Sequence, residues 1–149
     1  MATQTTPART VPLRRADAFK RALEHVTEIK EKQQKKIGDI YGSLCLNFPV
    51  MLRQNGLRQT IAFIEDKASA KDERARAYQL LRSHIAANLG LNESKLVDLL
   101  RDASALEIVR YTRLLLAAWI YYKRFAVSIL GAEATAEPDG QYRQQGAAR

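Results

Sequence analysis

A chain of 149 residues, 46% hydrophobic and 7% aromatic, can form one domain with a modest core and is too short for two ordinary ones. Its 24 lysines and arginines against 16 acids leave a net charge of +8, which favours a polyanionic partner, nucleic acid or anionic lipid. One cysteine excludes a disulfide framework. Cys45 lies on an apolar stripe and reads as a small buried residue in a reducing compartment, so the chain is expected in the cytoplasm.

Met1 to Pro12 carries polar Thr and Gln where a secretory signal would have an apolar core. Residues 1–13 are therefore expected to be a flexible arm and 14–131 the folded domain. The first helix is expected from Arg15 to Lys36 with Phe19, Leu23, Val26 and Ile29 inward. Gly38 is the expected break, with a long bent helix to Gln54 as the alternative, because the apolar phase continues through Ile37, Ile40, Tyr41 and Leu44. Asn55-Gly56 can supply a left-handed residue that ends this helix, and Pro49 should kink it or open a new one. Leu57, Ile61, Ile64 and Ala68 repeat at helical spacing, so Asn55 and Gly56 form a corner between two helices.

Lys71 to Leu89 predicts a further helix closed by Gly90, and Glu93 to Arg101 a short one. Ser104 and Glu107 stand at capping-box spacing, so the last helix should start near Ala105 and run to about Leu130. Ile108, Thr112, Leu115, Trp119, Tyr122, Ala126 and Ile129 form its inward seam. The longest apolar run, Leu114 to Tyr122, is far short of the ~20 residues a membrane span needs, so no membrane association is expected. Residues 132–149 hold almost no large apolar side chain and are expected to be disordered. The fold class is all-α: a compact bundle of five or six helices between two tails.

Three basic groups are candidate phosphate contacts. Arg21, Lys32 and Lys35 project together, away from the Phe19 stripe, with Lys36 beside them. The same cations also stand in the favoured order for weak helix pairs, Asp17 with Arg21, Glu28 with Lys32 and Glu31 with Lys35. Arg53 and Arg58 flank the Asn-Gly corner. On the last helix Arg110, Arg113 and Arg124 lie opposite the seam with Tyr121 among them, a pattern that holds phosphates and stacks on a base, and equally one of a solvated outer face.

The run from Tyr41-Gly42 to Phe63, with Pro49 and the Asn55-Gly56-Leu57 corner, followed by Lys123-Arg124-Phe125-Ala126, resembles the small subunit of the Cmr complex, the type III-B CRISPR effector. The resemblance spans roughly Ala18 to Leu130. It implies a prokaryotic, non-catalytic subunit that fills between the backbone and large subunits and contacts the guide RNA and target RNA. Self-association is a further partner expectation. Pro49, Asn55, Gly56, Trp119 and Tyr121 are then structural or interface residues.

Enzymatic chemistry has little to stand on. His25 and His84 have no metal-type spacing and are expected on the surface, no phosphate-binding glycine loop is present, and Glu65-Asp66 and Asp72-Glu73 lie at helix ends where solvation or capping explains them. No catalysis, cofactor or metal is expected. A helix-turn-helix regulator built on Glu93–Arg101 and the helix after Ser104 is disfavoured, because Leu114 to Ile120 wants a protein interior and not a DNA groove. A helical adaptor without nucleic-acid binding is the remaining alternative.

Overall fold

Helix α2, Lys35–Asn55, is the centre of the molecule, and its length follows from what surrounds it. Ile37, Tyr41, Leu44, Cys45, Phe48, Met51 and Leu52 are all buried, so packing on several sides offsets the cost of holding Pro49 inside the helix without a backbone N–H. The computed structural model describes residues 15–133; around α2 it sets α1 (Arg15–Lys32), α3 (Leu57–Ala68), α4 (Glu73–Asn88), a 3-10 turn (Glu93–Lys95), α5 (Leu96–Asp102) and α6 (Ala105–Ser128). No strand occurs among the described residues, and the all-α bundle holds. The arm expected over 1–13 lies outside the described residues, as does the tail beyond Glu133.

Helices α4 and α6 pack directly on α2, α1 lies on α6, and α3 pairs with α4. The start of α6 is fixed by the capping box: Ser104 Oγ accepts from the Glu107 N–H at 3.2 Å, and Glu107 Oε1 accepts from the Ser104 N–H at 2.8 Å. Leu115, Trp119, Tyr122 and Ala126 face the core as the seam requires. Asp72 caps α4 by accepting from the Ala75 N–H, and Glu65 pairs with Arg82 at 2.7 Å, so these acids serve the fold. Ala132, expected in the tail, donates its N–H to the Ala126 carbonyl. It also lies against α2, where a Cβ on Gly42 would come within 3.0 Å of the Ala132 Cβ.

Two expectations on the first helices are corrected. The break falls at Gln33–Gln34, where Gln34 is extended (φ −62°, ψ 150°), and α2 runs straight through Gly38, whose N–H donates to the Gln34 carbonyl. The buried face of α1 is Ala18, Ala22, Val26 and Ile29; Phe19 and Leu23 are 47% and 38% exposed. Small alanines let α1 lie close to its neighbours, while Phe19 meets Tyr121 and Phe125 edge-on at 5.4 Å.

The corner between α2 and α3 is one residue long. Gly56 has the expected positive φ, +81°, but with ψ 166° it is extended and not left-handed helical, and Asn55 remains the last helical residue. Its N–H still donates to the Leu52 carbonyl, and its own carbonyl accepts from Thr60. That backbone region is essentially restricted to glycine. Gly56→Val should cost about 1–3 kcal/mol from backbone strain alone, since an added Cβ meets nothing within 4 Å. A urea midpoint equal to wild type would refute the strain.

Candidate nucleic-acid interface

A helix longer than its neighbours and packed along one side presents a continuous outer face, and α6 does so over about 36 Å. At 100° per residue Leu106, Val109, Arg110, Arg113, Ile120, Arg124 and Val127 share an arc of roughly 100° on that face. All seven are exposed, Leu106 at 66% and Ile120 at 58% among them. Among the described residues none of the three arginines forms a salt bridge. Arg110 acts on the Glu107 carboxyl only as a minor influence; that group is held below its usual range chiefly by the Ser104 N–H it accepts from. The result is a row of unpaired guanidinium groups set among exposed aliphatic side chains. Tyr121 is not part of that row: it is half-buried, and the edge-on Phe19 ring occupies it.

The lysine group at the end of α1 is not a single patch. The break at Gln33–Gln34 puts Lys32 on α1 and Lys35 and Lys36 on α2. Lys32 pairs with Glu28 at 3.2 Å as its spacing suggests, Lys35 pairs with Asp39 at 3.0 Å instead of Glu31, and Lys36 reaches Glu73 of α4 at 2.9 Å. All three pairs are exposed and therefore weak, so a phosphate can compete for each lysine. Arg53 is exposed near the corner. Arg58 instead closes α5 onto α3, donating to the carbonyls of Leu100 at 2.8 Å and Ala103 at 2.7 Å.

Arg21 points elsewhere, and following it leads to residues that the sequence pattern misplaces. Its Nη1 donates to Asn88 Oδ1 at 3.0 Å, and Asn88 Nδ2 donates to Tyr122 Oη and to the His84 carbonyl, both at 2.8 Å. The Tyr122 hydroxyl is also hydrogen-bonded to His25 Nδ1 at 2.6 Å, and the Tyr41 hydroxyl to His84 Nδ1 at 2.5 Å. The two imidazoles stack at 4.0 Å, 8° from parallel. Far from lying on the surface, His84 is 5% exposed and His25 mostly covered. Burial, with His25 next to it, pushes the His84 pKa down to about 3; burial and then the Arg21 guanidinium lower that of His25. Both rings are neutral pins joining α1, α2, α4 and α6. A signal exists in the sequence: His84 follows Leu81 by three residues and precedes Asn88 by four, on the buried side of α4.

Comparison with known proteins gives a consistent result. A family model described as CRISPR-associated protein (Cas_Cmr5) matches residues 14–129. A protein of Thermus thermophilus described as CRISPR system Cmr subunit Cmr5 is 33% identical over 91 residues, which is 60% of this chain and 75% of that protein. The X-ray crystal structure of a CRISPR-associated Cmr5 family protein from the same organism superposes with a TM-score of 0.64 at 32% identity, covering 77% of this chain and 98% of that one.

Proposed function

The chain belongs to the Cas_Cmr5 family, and on that premise we propose that it is a non-catalytic, cytoplasmic subunit of a type III-B CRISPR effector, wedged between the other subunits and touching the backbone of the guide and target RNA. The observation that carries this reading is the outer face of α6. Exposed Leu106, Val109, Ile120 and Val127 form an apolar row that a monomer in water gains nothing by displaying. Arg110, Arg113 and Arg124, without a salt bridge among the described residues, run along the same row, and guanidinium groups suit phosphate. A surface of this mixed kind fits a site where protein and RNA are covered together. Arg53, Lys32, Lys35 and Lys36 are secondary phosphate contacts in this reading, and Arg21 is a weaker candidate because Asn88 holds it. No helix among the described residues is long and apolar enough to cross a membrane.

The test is a triple substitution, Arg110→Glu, Arg113→Glu and Arg124→Glu, in the assembled complex. None of the three side chains is buried, so the fold should survive. Target-RNA binding should weaken, and each lost phosphate contact should reduce the slope of log affinity against log salt by roughly 0.7 for a single strand. The loss should be equal across RNA sequences, since phosphates carry no base information. A folded, incorporated triple variant with wild-type affinity and slope would clear this face of an RNA role.

A further inference from the structure

The elbow between α1 and α2 encloses a cleft of about 190 Å³. Ile29 and Leu130 are the large apolar residues that line it, Gly38 adjoins both of them, and Gln33, Gln34 and Asp39 contribute to the lining with Lys30 and Lys35. We propose that this cleft takes a single nucleobase, held by its faces against Ile29 and Leu130 and by its edge against the two carboxamides; the assignment to a base within RNA rests on the function proposed above.

Gly38 is the residue that sets the cleft apart from an accidental gap. A glycine within a helix weakens it relative to alanine, so its presence calls for a reason. At Gly42 the reason is packing, because a Cβ there would meet Ala132 at 3.0 Å. No such conflict exists at Gly38. A Cβ there would touch Ile29 Cγ2 and Leu130 Cδ2 at 3.8 Å, which is ordinary contact, so alanine fits. What glycine leaves is a gap beside those two side chains that a methyl group would fill.

The rim has the matching chemistry. The Gln33 and Gln34 carboxamides make no hydrogen bond among the described residues, and each offers both a donor and an acceptor, as the edge of a base requires. Asp39 adds a third accepting group, shared with Lys35 in an exposed pair at 3.0 Å. Lys30 has no salt bridge among the described residues and, with Lys35, supplies positive charge for the attached phosphate. A purely phosphate-binding patch would have no use for the apolar walls.

The experiment is an NMR titration of the full chain with the four ribonucleoside 5′-monophosphates, with ribose 5-phosphate as the base-free control. At least one nucleotide at millimolar concentration should shift the Gly38 amide and the Ile29 and Leu130 methyl signals saturably, and ribose 5-phosphate should not. Gly38→Ala should melt no lower than wild type and bind that nucleotide about five-fold more weakly, as should Gln33→Ala with Gln34→Ala, the loss expected for one or two edge hydrogen bonds. Equal shifts from ribose 5-phosphate, no shift from any nucleotide, or unaltered binding by both variants would overturn the proposal. A single-stranded oligoribonucleotide separates the two sources of a base. If it moves the same signals, the cleft reads RNA. If only mononucleotides move them, the cleft is a free-nucleotide site and its assignment to a base within RNA fails, while the α6 face stands or falls by its own salt-dependent test. Salt-dependent RNA binding that bypasses these signals, with no nucleotide response, removes the cleft and leaves the RNA reading standing.

Discussion

Trp119→Ala should lower the stability of the protein by ~3–5 kcal/mol, a large part of the roughly 5–15 kcal/mol that holds a domain of this size folded. The indole is fully buried, stacked on Tyr122 at 4.1 Å and 13° and tilted against Phe48 of α2 at 4.6 Å. Truncation removes the largest buried side chain and leaves a cavity between α6 and α2 that backbone relaxation fills only partly. It also withdraws support from Tyr122, whose hydroxyl ties His25 and Asn88 together. Trp119→Phe should cost clearly less, because an aromatic ring still fills most of the site and the indole N–H gives up at most a weak interaction with the Cys45 thiol. Urea denaturation of the three proteins tests this. Equal midpoints for wild type and Trp119→Ala would mean that α6 does not dock through this ring.

Such a result would also undercut the part of the fold that is plainest in the sequence. Ser104 and Glu107 set the start of α6, and the alternating spacing of Leu115, Trp119, Tyr122 and Ala126 sets its buried side, because a long helix with a cap and a seam leaves few other arrangements. Gly56 is legible for a similar reason: two apolar repeats meet there out of phase. The first two helices are harder. Phe19 and Leu23 outweigh Ala18 and Ala22 in any hydrophobic pattern, yet close helix packing selects the small side chains for the buried face. Gly38 looks like a break because glycine is a weak helix former, at about 1 kcal/mol relative to alanine. Burial of α2 along its length outweighs that, and the chain turns instead at Gln33–Gln34, which carry no turn signature.

The candidate interface is legible only in outline. Helical projection puts Arg110, Arg113 and Arg124 on one exposed face, as the structure does. Projection cannot tell an arginine bound by its own chain from a free one, and so Arg21 and Arg58 look like the others until their partners, Asn88, Leu100 and Ala103, arrive from distant segments. Exposed aliphatics beside the α6 arginines are likewise invisible, because Leu106, Val109, Ile120 and Val127 read as ordinary helix content until burial is known. The histidines escape notice for the opposite reason. A polar residue between apolar ones is usually on the outside, and here two stacked rings and two phenols satisfy each other within the core.

Those histidines make the protein acid-sensitive in a defined window. In the unfolded chain His84 has the ordinary pKa of 6.5; in the folded protein it is about 3. Between these values only the unfolded state takes up the proton, so stability is fully present above pH 6.5 and falls as the pH drops. At pH 4.5 the loss attributable to His84 is roughly 3 kcal/mol, two pH units at about 1.4 kcal/mol each. The surroundings offer the charged ring little relief. Tyr41 faces it with a neutral hydroxyl already hydrogen-bonded to its Nδ1, Asn88 gives its amide protons elsewhere, and His25 lies flat against it with Arg21 nearby. Glu24 and Glu28 favour a charge on His25, though burial outweighs them. Urea midpoints measured from pH 7 to about 4.5 should decline for wild type, and His84→Gln should flatten most of that decline while being less stable at neutral pH, since the Tyr41 hydroxyl loses its imidazole partner. A wild-type midpoint that does not move over this range would mean that the buried ring accepts a proton without cost, which a stacked neutral pair between four helices does not allow.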